Sequence, residues 1–170
     1  MGKNLTARKS LLPLLMVLAT PQPSAFSHSN AFSLPQVLET QIGVSEQPSG
    51  SNWGPKVSEY LAAAGISFPA PWCAAFIEWG MQKIGKKGAG AYVPSWNVAA
   101  KVVKHPRRGD LGLIYFPSLK RYAHIYCVSE TISSSSVRTI EGNSNRAGSR
   151  EGTEVVKKIR PKTARYVRWD

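Results

Sequence analysis

Acidic residues are scarce in this chain: ten Asp and Glu stand against 22 Lys and Arg, for a formal charge of +12. Aspartate is reduced to Asp110 and Asp170, so no Asp-rich loop is present to hold calcium, and neither a metal site nor a cofactor is expected. Cysteine stops at two, Cys73 and Cys127, in a chain of 170 residues that is long enough to bury a core without staples. The apolar run at 11–19 falls well short of the roughly 20 residues a membrane-spanning helix needs, so no transmembrane segment is expected in the mature form. No internal repeat and no long linker divides the chain, which reads as one domain.

The first residues stand apart from that domain. Lys3, Arg8 and Lys9 precede the apolar run, and prolines, serines and alanines follow it. Basic, then apolar, then small is the order of a signal peptide, here residues 1–27 with cleavage after Ser27 or as late as Ala31. A secreted or periplasmic protein is expected. Removing those three cations leaves +9 on the rest. A surface so charged favours polyanions, and outside the cytoplasm these are read as cell-wall polymers or lipid head groups, with no nucleic acid.

Taken in order, the remaining residues start helical. Ser33-Leu34-Pro35-Gln36 has the form of a capping box, with Gly43 as the stop. Val57, Tyr60, Leu61 and Ala64 recur at helical spacing behind Pro55. A third helix spans 72–84, and a short fourth is expected from Ser95 to Val103, ended by His105-Pro106. From Gly109 the period changes, and strands are expected at 111–116, 123–128, 136–141, 153–159 and 164–169. Helices first and consecutive strands after them predict an α+β domain over 33–170, its N-terminal helices packed on a C-terminal antiparallel sheet.

Cys73 falls at the first turn of the third helix, just past Pro69 and Pro71. Unpaired N–H groups and the positive end of the helix dipole favour a thiolate there. From this stretch alone, a buried structural cysteine is an equal reading. A cysteine nucleophile needs a base, and the base an orienting group. His105 sits before a proline without an evident partner, whereas His124 opens a strand whose successor ends in Glu141-Gly142-Asn143. A hairpin turn centred between Ile132 and Ser133 sets His124 opposite Glu141, Tyr126 opposite Thr139 and Val128 opposite Val137, with Asn143 on the same face two residues on. Cys127 has the opposite parity from His124, so it is read as core and not as a disulfide partner of Cys73.

At this point the chain resembles the CHAP domains, the cysteine, histidine-dependent amidohydrolases/peptidases of bacteria and their phages, which belong to the papain-like cell-wall peptidases. The resemblance rests on Pro71-Trp72-Cys73-Ala74-Ala75-Phe76, Val93-Pro94-Ser95-Trp96, Arg108-Gly109-Asp110-Leu111, Ala123-His124-Ile125 and Thr139-Ile140-Glu141-Gly142-Asn143-Ser144, five motifs in order over residues 45–160. It departs where Tyr122-Ala123-His124 replaces the commoner Gly-His. The resemblance implies a papain-like fold, nucleophile Cys73, base His124, orienting or polarising groups Glu141 and Asn143, and an oxyanion hole that includes the Cys73 N–H. It makes Asp110 a turn-capping carboxylate beside the site. The implied substrate is peptidoglycan, cut at an amide bond as an amidase or endopeptidase. Trp72, Trp96 and Tyr122 are candidates to line the cleft, with core packing the other reading of each. The rival function is a non-catalytic basic module that binds the wall without cutting it.

Overall fold

Three helices lead and six strands follow in the computed structural model, which describes residues 1–2, 32–147, 152–163 and 165–169. Apart from its first two residues, the expected signal peptide and its cleavage region lie outside the described residues. Residues Ala31–Asp170 group as one compact unit. The architecture is α+β, with a six-stranded antiparallel sheet. No helix among the described residues is long and apolar enough to cross a membrane.

Helix α1 (Leu34–Glu39) starts at the expected capping box, in which Gln36 Oε1 accepts the Ser33 N–H at 2.9 Å. Helix α2 (Pro55–Ala63) has Pro55 in its first turn and buries Val57, Tyr60 and Leu61. Helix α3 (Cys73–Lys83) is the centre of the molecule: every residue from Cys73 to Met81 is buried. Its small residues explain how it is surrounded. A Cβ on Gly80 would stand 2.6 Å from Leu38, so α1 packs directly onto the α3 backbone.

The expected fourth helix is not there. Residues Val93–Trp96 and Ala99–Lys101 form two separate 3-10 turns, and the chain then enters a short strand, β1 (Val102–Val103). The β-branched residues at the end of this segment serve better in a strand than in another helical turn. The other strands are β2 (Leu111–Phe116), β3 (Arg121–Thr131), β4 (Ser136–Ser144), β5 (Glu154–Pro161) and β6 (Arg165–Val167). Their order is β1-β6-β2-β3-β4-β5, so β6 returns to lie between β1 and β2. The main core fills the face under α3 with Leu111, Leu113, Ile125, Cys127 and Ile140. A smaller cluster of Tyr126, Val128, Val137 and Tyr166 covers the other parity of the same strands.

Three irregularities break the ladders, and two of them flank the region where α3 begins. Ile114 pairs with His124 but Tyr115 pairs with Tyr122, which leaves Ala123 as an extra residue beside His124. Val128 pairs with Thr139 but Glu130 with Arg138, which leaves Ser129 extra. On β4 the register against β5 shifts between Glu141 and Ser144, and Asn143 there takes a left-handed φ of 51°. Bulges of this kind re-aim side chains, and here they sit around the same point.

Candidate active site

Cys73 is the first residue of α3, preceded by Trp72, whose side chain does not cap the helix. Gly142 is what brings this end of the helix against the sheet. A Cβ on Gly142 would stand 2.7 Å from the Trp72 ring and 2.8 Å from Phe76, so only glycine allows the first turn of α3 to press on β4 at that depth. Cys73 and His124 then line one cleft of about 290 Å³, together with Glu46, Asn143, Phe116 and Arg121.

The imidazole of His124 is fixed from both sides. Its Nε2 lies 3.0 Å from Glu141 Oε2, which leaves Nδ1 for its interaction with the Cys73 thiol. A carboxylate only accepts, so Nε2 carries the proton. Glu141 stands behind the histidine and outside the cleft, fully buried. Its carboxylate accepts from Thr139 Oγ1 at 2.6 Å, from Ser144 Oγ at 3.0 Å and from both Nε and Nη2 of Arg160, the latter at 2.8 Å. Lys158 Nζ is 3.5 Å away.

These contacts decide the charge states. Burial pushes the Cys73 thiol up. The hydrogen bond and charge of His124, with the backbone N–H groups of Ile125 and Ala74, outweigh it and hold the thiol below its ordinary 9.0. Burial pulls His124 down, but its hydrogen bonds to Cys73 and Glu141 raise it from 6.5 to about 9. Burial raises Glu141 too, and it is overcome by His124 and Arg160, which hold the carboxyl well below the usual range. The two shifts at Cys73 and His124 share one cause, the contact between thiol and imidazole, which favours the charged form of each. Cys127, by contrast, is a free thiol in the core, pushed far up by burial.

The sequence expectation joined His124 to Glu141 by direct opposition across the hairpin. The contact is present, but the register is not the expected one. Val128, not Tyr126, faces Thr139, a shift of two residues. Two is even, so His124 and Glu141 keep a common face and meet on a diagonal.

Asn143 lines the cleft beside His124 and is held by the backbone around it. Its amide is bonded to groups other than His124. Oδ1 accepts the Trp72 N–H at 3.2 Å, while Nδ2 donates to the Gly152 carbonyl at 2.6 Å and to Glu46 Oε1 at 3.2 Å. Asn143 therefore pins the backbone just before the nucleophile. Glu46, which the sequence reading overlooked, completes the clamp: it is 4% exposed and accepts the Trp72 indole N–H at 2.8 Å and the Asn52 N–H at 3.0 Å. Arg160, equally overlooked, is the cation behind Glu141. Only a contact 19 residues apart in sequence reveals it, and nothing local marks it.

None of the three aromatic candidates lines this cleft. Trp72 is fully buried against Tyr60 and Phe76. Trp96 is fully buried against Trp169, with its indole N–H on the Gly90 carbonyl. Tyr122 points along the sheet to Tyr115 and receives Arg165 Nε at 3.3 Å. The cleft's apolar surface comes instead from Phe116 and Leu119. Asp110 does cap its turn, accepting the Arg107 N–H at 2.8 Å, but its carboxylate is engaged by Arg168 in a pocket separate from this cleft. Among the described residues no group of three or more His, Cys, Asp or Glu is gathered to hold a metal. Comparison with family models, with curated proteins and with solved structures gives no match to this chain.

Proposed function

We propose that this protein is an exported peptidoglycan hydrolase, a cysteine-dependent amidase or endopeptidase with a papain-like CHAP fold. The observation that carries the reading is the chain of contacts from Cys73 through His124 to Glu141 at the wall of an open cleft. A nucleophile, a base and an orienter in that order is the minimum for acyl transfer through a thiol. The five motifs shared with CHAP domains supply the family and the substrate class. Export rests on the basic, apolar, small order of residues 1–27.

In this reading the Cys73 thiolate attacks the amide carbonyl carbon, and the developing oxyanion takes the Cys73 N–H at the start of α3. His124 Nδ1–H protonates the leaving amine as the C–N bond breaks. The neutral imidazole then removes a proton from water, whose oxygen displaces the thiolate and releases the carboxylic acid. Throughout, Glu141 holds Nε2–H, which fixes the ring plane and stabilises its positive state. Glu46 and Asn143 keep the nucleophile's backbone in place. The basic surface draws the enzyme to anionic wall polymers.

Digestion of purified peptidoglycan by the mature protein beside its Cys73→Ala variant tests the reading, with mass spectrometry of the released fragments. Fragments that appear only with the intact thiol are expected. Free stems would mean an amidase, and split stems or cross-bridges an endopeptidase. Binding by both proteins with release by neither would replace this reading with the wall-binding module.

A further inference from the structure

The cleft that holds Cys73 is uneven. One wall, from the 45–52 loop, the end of β4 and the residue before β5, offers Glu46, Asn52, Asn143 and Thr153. The other, from the β2–β3 connection, offers Phe116, Leu119 and Arg121. The charge on the first wall is spent, since Glu46 is buried and accepts three hydrogen bonds. Arg121 is in the opposite condition. It is exposed, no carboxylate among the described residues pairs with it, and its guanidinium lies 5.5 Å from the centre of the Tyr92 ring. Stacking on an aromatic face leaves the N–H edge of the fork free and limits its sweep.

Resting on the hydrolase reading above, we infer that Arg121 forms an anionic subsite, and that the substrate carries a free carboxylate beside the scissile amide, on the side of the β2–β3 connection. Phe116 and Leu119 give that side apolar contact, so the group that fits is a short acidic residue with an aliphatic neighbour. A planar fork matches a carboxylate in two-point contact. The same wall rejects a cationic substituent, which gives the cleft a polarity and fixes the direction in which a peptide lies across Cys73.

The test compares peptidoglycan with the same material after carbodiimide coupling to methylamine, which converts free carboxylates to neutral amides and leaves existing amides intact. Initial rates of fragment release are measured for the wild type, Arg121→Gln, and Lys104→Gln as a control that removes one exposed charge elsewhere. The wild type is expected to lose about three- to tenfold on the coupled material, the range for a partly exposed charge-assisted pair. Arg121→Gln should lose that factor already on native material and lose nothing further on coupling, while Lys104→Gln keeps the wild-type ratio. A wild-type ratio in Arg121→Gln overturns the subsite. So does loss of both activities in a variant that melts with the wild type, since Arg121 would then serve the chemistry itself. If the wild type releases nothing from either material, the hydrolase reading fails and the subsite falls with it.

Discussion

Substituting Glu141 by Gln removes one charge from the most crowded carboxylate among the described residues, and the structure sets the scale of the damage. The side chain is fully buried, and it faces Arg160, Lys158 and His124, whose side chains are 25%, 15% and 12% exposed. Each of these cations keeps its burial and loses its counter-ion. Removing one partner from a buried ionic group costs about 3–5 kcal/mol, because the remaining charges are left uncompensated. For a domain of this size that corresponds to about 10–20 °C in melting temperature, from the usual few degrees per kcal/mol. The amide also turns an N–H₂ donor toward groups that are themselves donors. A second effect is specific to catalysis: Glu141 is one of the two groups that raise His124, so its neutralisation lowers the pH at which the imidazolium discharges. The assay pairs thermal unfolding by circular dichroism with the pH dependence of thiol alkylation. Glu141→Gln/Arg160→Met, which also removes one orphaned cation, should recover part of the loss. A Glu141→Gln protein that melts within about 3 °C of the wild type and keeps its alkylation profile would refute the reasoning.

Turnover should climb as Cys73 deprotonates, below the ordinary thiol value of 9.0, and fall as His124 loses its proton near 9; a profile that keeps rising past that point would exclude a working imidazolium. The same raised His124 pKa predicts that its stabilisation is complete below 6.5 and lost as pH rises through about 9, which unfolding midpoints at pH 6 and pH 10 will check. Glu46→Gln leaves the Asn52 N–H without its acceptor and loosens the clamp on Trp72 and Asn143, at about 1–3 kcal/mol. It should lower kcat with little change in KM, and combining it with Asn143→Ala should add little; fully additive losses would show that the two do not act together. Iodoacetamide should label one thiol per folded chain, because burial holds Cys127 protonated. Equal labelling of both thiols would contradict that burial.

The helices and most strands were legible because their signals are local: a capping box at Ser33, a proline opening α2, and a change of period after Gly109. The hairpin arithmetic pairs His124 with Glu141 through two errors of register that cancel. The turn lies further along than assumed, with Ile132 N–H bonded to the Ser136 carbonyl, which moves the register by three residues and by itself inverts the parity. The extra residue Ser129 takes one step back and restores it. A bulge has no strong signature in one sequence, and the second one, at 142–143, is why Asn143 could not be placed by alternation. Aromatic residues misled for a plainer reason. Trp72 and Trp96 are large and their indole N–H groups find partners inside, so composition alone does not separate a cleft lining from a core. Arg160 and Glu46 act only through contacts far apart in sequence.

The cation that anchors Glu141 belongs to β5, the last strand of the sheet, whose outer side is bonded by the 43–46 segment at its start, around Val155, and not around Arg160. Edge strands open at lower free energy than the interior of a fold. When β5 frays around Arg160, the carboxylate behind the histidine loses its main partner while α3 and the centre of the sheet remain intact. Loss of activity on heating would then run ahead of loss of structure, and amide exchange along β5 would report the approach of inactivation before any global probe does.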